Sequence, residues 1–199
     1  MVRRSFDPVI DVARVMQSYP HDWFISGGWA IDLFVGRVTR EHEDVEVGAY
    51  LPHQAELRRH LGDWQLSRIR NDAWEPWSPD QAIELPEFQV QARSDRLAPH
   101  QFEVFFNPLD GGEWVSRRHP NLRVPAKAVV AKSAASEGVA AGIPYLVPEI
   151  QLLYKAKHHR PKDDADFDAV VELLSDTQRA WLRDALRVHH PGDRWMKAL

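Results

Sequence analysis

The chain contains no cysteine, so disulfides, thiolate zinc sites and cysteine nucleophiles are excluded. No apolar run approaches the ~20 residues that a membrane-spanning helix needs, and no membrane partner is expected. The first twenty residues place Asp7 and Asp11 among their apolar positions and lack the unbroken apolar stretch of a secretory signal, so a cytoplasmic location is expected. An excess of positive charge is missing too. The formal net charge is −4, whereas a nucleic-acid binder usually carries a basic footprint, and no nucleic-acid partner is expected.

What is present suits a small soluble enzyme. The 199 residues suffice for one ample core or two small ones, with apolar and charged fractions of 44% and 27% that are ordinary for a globular protein. Charge is unevenly spread: residues 71–114 hold nine acidic and two basic side chains, whereas residues 115–199 hold ten and fourteen.

Periodicity predicts an α/β (α+β) fold. Phe6, Val9, Ile10, Ala13 and Met16 recur at helical spacing over residues 5–19. Trp23, Phe24 and Ile25 form a short apolar strand that ends at Ser26-Gly27-Gly28, after which Trp29, Ala30, Leu33 and Phe34 return to helical spacing until Gly36. Val45 and Val47 then alternate with Asp44 and Glu46, which puts both carboxylates on one face of a strand. A helix is predicted over 54–61, a strand over 65–69, a loop over 71–79, and strands over 82–92 and 101–106. The dense turn signal at 107–112 marks a boundary between a domain at 1–108 and a mainly helical C-terminal domain at 109–199, where helical runs begin at 148, 164 and 177.

The stretch from Ser26 to Val47 has the parts needed to handle a nucleoside triphosphate. Amide groups at a helix N-terminus, approachable because Gly27 and Gly28 lack side chains, suit phosphate, and Ser26 can cap the helix and add a hydroxyl. Asp44 and Glu46, two residues apart, can hold hard divalent ions. Arg40 and, far along the chain, Lys155 are candidate phosphate contacts. His42 is read as a brace for the strand, and Asp32 as a solvent-facing or arginine-paired residue.

These residues resemble a known family. Ser26-Gly27-Gly28-Trp29-Ala30-Ile31-Asp32 followed by Gly36-Arg37-Val38-Thr39-Arg40-Glu41-His42-Glu43-Asp44-Val45-Glu46-Val47 is similar to the signature of the bacterial aminoglycoside and lincosamide nucleotidyltransferases of the DNA polymerase β superfamily. The family commonly has Asp-x-Asp where this chain has Asp44-x-Glu46. The stretch from Tyr154 to Asp163 similarly resembles the basic helix end that precedes Lys-Asp-x-x-Asp in related proteins.

The resemblance implies a nucleotidyltransferase fold, a mixed sheet flanked by helices and followed by helices that close over the nucleotide. It implies transfer of a nucleotide, AMP from ATP, to a hydroxyl of a small acceptor such as an antibiotic, which would make the chain a resistance factor. Magnesium would be the cofactor, two ions with the nucleotide bound. It also implies a third carboxylate on a later strand, as metal ligand or base. Glu103 is the choice, with Glu84 and Glu87 as rivals. The other readings are a toxin-type enzyme acting on RNA or protein, and a non-catalytic nucleotide-binding module. The strand glutamates with Asp72, Glu75 and Asp80 are expected to line an acidic groove that would attract a polycationic acceptor.

Overall fold

The computed structural model describes residues 5–134 and 140–199. An amphipathic helix α1 (Asp7–Met16) leads into β1 (Phe24–Ser26), α2 (Gly27–Val35) and β2 (Glu46–Tyr50), as the periodicity predicts. Then come a 3-10 turn at Leu51–His53, α3 (Gln54–His60), β3 (Gln65–Arg70), β4 (Ala73–Pro76), β5 (Gln89–Arg93) and β6 (Gln101–Asn107).

Residues 71–79 do not form the expected loop. Asn71 and Asp72 both take positive φ, 49° and 61°, the paired left-handed geometry that closes a tight hairpin, and this lets β4 fold back on β3. The strand expected over 82–92 shrinks to β5, because the stretch before it, including Leu85-Pro86, is irregular.

Beyond residue 108, β7 (Leu109–Asp110), β8 (Glu113–Val115) and β9 (Arg123–Pro125) make a small antiparallel sheet. Two further strands, β10 (Val130–Lys132) and β11 (Pro144–Leu146), join the main sheet, whose order is β10-β11-β1-β2-β6-β5-β3-β4. β11 runs parallel to β1, with Ile25 opposite Tyr145. Helices α4 (Pro148–Lys155), α5 (Pro161–Val170) and α6 (Asp176–His189) complete the chain. The turn at 107–112 therefore lies between β6 and two other strands of one mixed sheet, and the helical part starts at residue 148.

Register decides which side chains share a face. Ile25, Val47 and Val104 lie in one row across β1, β2 and β6, all fully buried in the main core. Val9, Val12 and Met16 of α1 and Leu57 of α3 belong to the same core. A second core gathers Leu152, Phe167, Val170, Leu182 and Leu186 around Ile31 of α2. Thus α2 belongs to both, which explains its nearly unbroken apolar sequence. Among the described residues no helix is long and apolar enough to cross a membrane.

Candidate active site

The residues alternating with that buried row build the opposite face. Ser26 on β1 stands opposite Glu46 on β2, Glu46 beside Glu103 on β6, and Glu103 opposite Gln91 on β5. The next row reads Phe24, Gly48, Phe105 and Gln89. Gly48 has no side chain because a Cβ there would lie 2.0 Å from the Phe24 ring. Asp44 lies just before β2 and is exposed.

The three carboxylates repel. Burial pushes Glu46 above its ordinary range, and the charges of Asp44 and Glu103 push it further, against Lys155 and Arg117. Burial raises Glu103 as well, opposed by the amide of Gln89, which donates to its Oε2 at 2.8 Å. Among the described residues, neither the Asp44 nor the Glu46 side chain has a hydrogen-bond or ion-pair partner. Glu46 and Glu103 set neighbouring carboxylates on one face with Asp44 just before it, oxygen donors of the kind a hard divalent cation takes. Glu84 and Glu87 do not share this face by register: both precede β5, Glu84 is exposed, and Glu87 accepts from the Asn71 amide.

The turn into α2 packs against these groups. A Cβ on Gly27, whose φ is +69°, would come within 2.8 Å of the Glu46 carboxyl, and one on Gly28 would meet Arg40 and His42 at 2.2 and 2.5 Å. At Gly27 the positive φ itself favours glycine, and at Gly28 the His42 ring occupies the space a side chain would take. Ser26 occupies the N-cap position but makes no cap bond, and its buried Oγ has no partner among the described residues. The Gly27 amide donates to Gln151 Oε1 at 2.8 Å, so a phosphate seated there would replace that bond.

Asp32 is fully buried and does not face solvent. It accepts from the Thr39 hydroxyl and amide at 2.5 and 3.1 Å and meets His42 Nε2 at 2.5 Å, while the His42 ring packs on Trp29 at 4.3 Å. The indole of Trp29 in turn donates to the Asp44 carbonyl at 3.0 Å. His42 is the brace that the sequence suggests, and Asp32 anchors it.

Arg40 and Lys155 are tied to one carboxylate. The fully buried Asp166 accepts from Arg40 Nε and Nη2 at 2.7 and 2.9 Å and pairs with Lys155 Nζ at 2.7 Å. Asp163 holds Arg160 at 2.8 Å; although burial opposes it, the Arg160 contacts and the Lys155 charge keep its carboxyl below the ordinary range. Glu46, Lys155 and Arg160 border two depressions at once. One continues past Gly28, Arg40 and Asp44 to Lys162. The other continues past Ser26 to Phe88, Phe105, Arg117 and Tyr154.

Arg117 is a site residue that sequence reasoning passed over. Its guanidinium lies 4.2 Å from the Phe88 ring centroid, near Phe105 and Tyr154, and its Nε and Nη1 are buried without partners. The only signal in the sequence was an Arg-Arg pair after the dense turns. Of the residues expected in an acidic groove, Glu75 pairs with Arg68 and Arg70, and of the strand glutamates only Glu103 shares the Glu46 row.

Residues 8–75 match the family model of aminoglycoside-2''-adenylyltransferases, in line with the resemblance carried by the Ser26–Val47 stretch. No curated protein matches in sequence. Among solved structures, the solution structure of the antibiotic-resistance factor ANT(2'')-Ia superposes with a TM-score of 0.60 at 13% identity, covering 91% of this chain and 90% of that one. The complex of ANT(2'')-Ia with adenylyl-2''-tobramycin gives 0.57 at 14% identity, covering 89% and 94%. The lincomycin-bound lincosamide adenylyltransferase LnuA gives 0.53 at 13% identity, covering 91% and 96%. The fold is the nucleotidyltransferase fold.

Proposed function

We propose that this chain, patterned over residues 8–75 like the aminoglycoside-2''-adenylyltransferases and folded like them, transfers a nucleotide from a nucleoside triphosphate to a hydroxyl of a small acceptor. The observation that carries this reading is the Ser26–Glu46–Glu103 row beneath the glycine start of α2, which sets a hydroxyl without a partner among the described residues beside two neighbouring carboxylates.

Two magnesium ions held by Asp44, Glu46 and Glu103 would neutralise triphosphate charge and lower the pKa of the attacking hydroxyl. The chain's own groups do the rest. Arg160 and Lys162, with Lys155 and Arg40 behind them, face the outer phosphates, and the Ser26 hydroxyl donates to a phosphate oxygen. Arg117, packed among aromatic rings at the edge of the second depression, is placed to meet the nucleotide or the acceptor. Glu103, next to Glu46 in the row, would align the acceptor hydroxyl or take its proton. The acceptor oxygen then bonds to the α-phosphorus, the bond to the β-phosphate oxygen breaks, and pyrophosphate leaves.

The residue 108 boundary acquires a functional sense in this reading. The carboxylates precede it, whereas Arg117, Lys155, Arg160 and the aspartates that hold the cations follow it. ATP is the proposed donor, and an aminoglycoside or a lincosamide the proposed kind of acceptor. Because Arg117, Arg118, Lys155 and Arg160 line the second depression, a weakly charged acceptor of the lincosamide kind fits there better than a polycation.

An acceptor screen with ATP and magnesium, read as pyrophosphate release and as the mass of the adenylylated product, tests this. Magnesium-dependent product with lincosamides or aminoglycosides, lost in Glu46→Gln, is the expected result. Labelling of RNA or protein instead would make the chain a toxin-type transferase, and nucleotide binding without release under any condition would leave a non-catalytic module.

A further inference from the structure

His21, His53 and Glu56 gather at the end of the sheet opposite to the carboxylates. β1 and β2 are antiparallel, with Ser26 opposite Glu46 at one end and Phe24 opposite Gly48 toward the other. His21 precedes β1 by three residues, and His53 follows the end of β2 by three. At ~3.3 Å per strand residue the cluster therefore sits roughly 15 Å from Glu46.

The two imidazole rings are stacked, with centroids 3.8 Å apart and planes 6° from parallel, and Tyr19 packs edge-on against His21 at 5.5 Å. The Tyr19 hydroxyl donates to the His53 carbonyl at 3.2 Å, which fixes the backbone under the second ring. Glu56 stands one helical turn past His53, and only its Oε1 is engaged, by Arg59 at 2.9 Å. One ligand atom from each of the three residues can be chosen so that all lie within 4.8 Å of one another.

We propose that His21, His53 and Glu56 form a structural site for a borderline divalent transition ion, zinc first, separate from the catalytic magnesium site. Two imidazoles and a carboxylate are the donor set zinc accepts, at bonds of about 2.0–2.2 Å, with water as the fourth ligand. Magnesium, which favours oxygen, is the wrong ion for it. Tetrahedral zinc needs donors ~3.3 Å apart, so side-chain rotations that move these atoms by little more than 1 Å close the site. The rings are stacked and parallel, so closing the site also requires one of them to turn until a nitrogen of each faces the common ion. The bound ion would clamp the segment between α1 and β1 to the start of α3, at the sheet end that no catalytic group touches.

The test is zinc titration of the full chain by calorimetry, without magnesium or nucleotide. Cobalt(II) substitution, read by visible absorption, and imidazole nitrogen NMR shifts of the unmodified protein accompany it. One equivalent of zinc is expected, with a melting temperature raised by several degrees, intense four-coordinate cobalt bands and shifts confined to two histidines. Affinity should fall at least tenfold in His21→Gln, His53→Gln and Glu56→Gln and stay unchanged in Glu46→Gln and in His119→Gln. Absence of stoichiometric zinc, or binding that survives His53→Gln or disappears in Glu46→Gln, would overturn the site. If a histidine variant does not fold, the NMR shifts of the unmodified protein decide alone.

Discussion

Two groups of acids lie at or behind the site and are treated in opposite ways. Asp166 and Asp163 are surrounded by Arg40, Lys155 and Arg160, so each charge is matched inside the protein. Asp44, Glu46 and Glu103 push on one another, and for Glu46 the nearest cationic help comes at longer range from Lys155 and Arg117. Matched charge holds a structure, whereas unmatched charge held in place by surrounding packing leaves a demand that only a ligand can meet. The Asp166 set is scaffold in this view, and the Glu46 set is working surface.

The comparison breaks most visibly in turnover. Glu46→Gln keeps shape and removes charge, and it is expected to lower magnesium-dependent turnover by at least ~1,000-fold, about 4 kcal/mol of transition-state stabilisation, in a single-turnover assay. Residual activity within tenfold would return Glu46 to the scaffold class. Asp166→Asn should do the reverse. It leaves Arg40 and Lys155 facing a neutral amide in a buried place and is expected to cost about 3–5 kcal/mol, a fall of roughly 10 °C in Tm by calorimetry.

A subtler difference concerns pH. The folded-state pKa of Glu46 lies above the ordinary 4.5, so the native form holds that proton more tightly than the unfolded chain does. Ionised Glu46 therefore costs stability at neutral pH, and the cost vanishes as pH falls through the raised value. Glu46→Gln should therefore melt measurably higher than the parent near pH 8. The gap should close as pH falls through the raised value into the ordinary carboxylate range, and a constant gap from pH 8 to pH 4 would contradict the assigned strain. The smallest effect is expected at Ser26. Because its buried Oγ has no partner among the described residues, Ser26→Ala should leave Tm within ~1 °C while raising the KM for nucleotide about threefold. A clear loss of Tm would make that hydroxyl structural.

The working surface was far easier to read in the sequence than the scaffold. Ser26 to Val47 is local: a strand breaks into glycines, a helix follows, and carboxylates alternate with valines, so a period change within about twenty residues reveals it. Glu103 was legible by the same alternation on β6. Asp166 meets Arg40 across 126 positions, and no local pattern announces such a pair. Asp32 was misread because α2 is enclosed by two cores, and helical periodicity names a wet face only when one exists. Residues 71–79 were misread because Asn71-Asp72 reverses the chain without the glycine that usually signals such a hairpin. Strands β10 and β11 are three residues each, too short for periodicity to register.

The place of β11 has a consequence for how the molecule is made. β1 is an inner strand of three residues, bordered by β2 about twenty positions away and by β11 about one hundred and twenty positions away. During synthesis at ~5–20 residues per second, the amides on the outer edge of β1 wait several seconds for residue 145 to leave the ribosome. Through that interval the nascent chain carries an open sheet edge beside a half-covered core, the kind of surface on which chains pair with one another. Dependence on a holding chaperone should thus be concentrated before β11 emerges, and a ribosome stalled at residue 120 should expose more aggregation-prone surface than one stalled at residue 190.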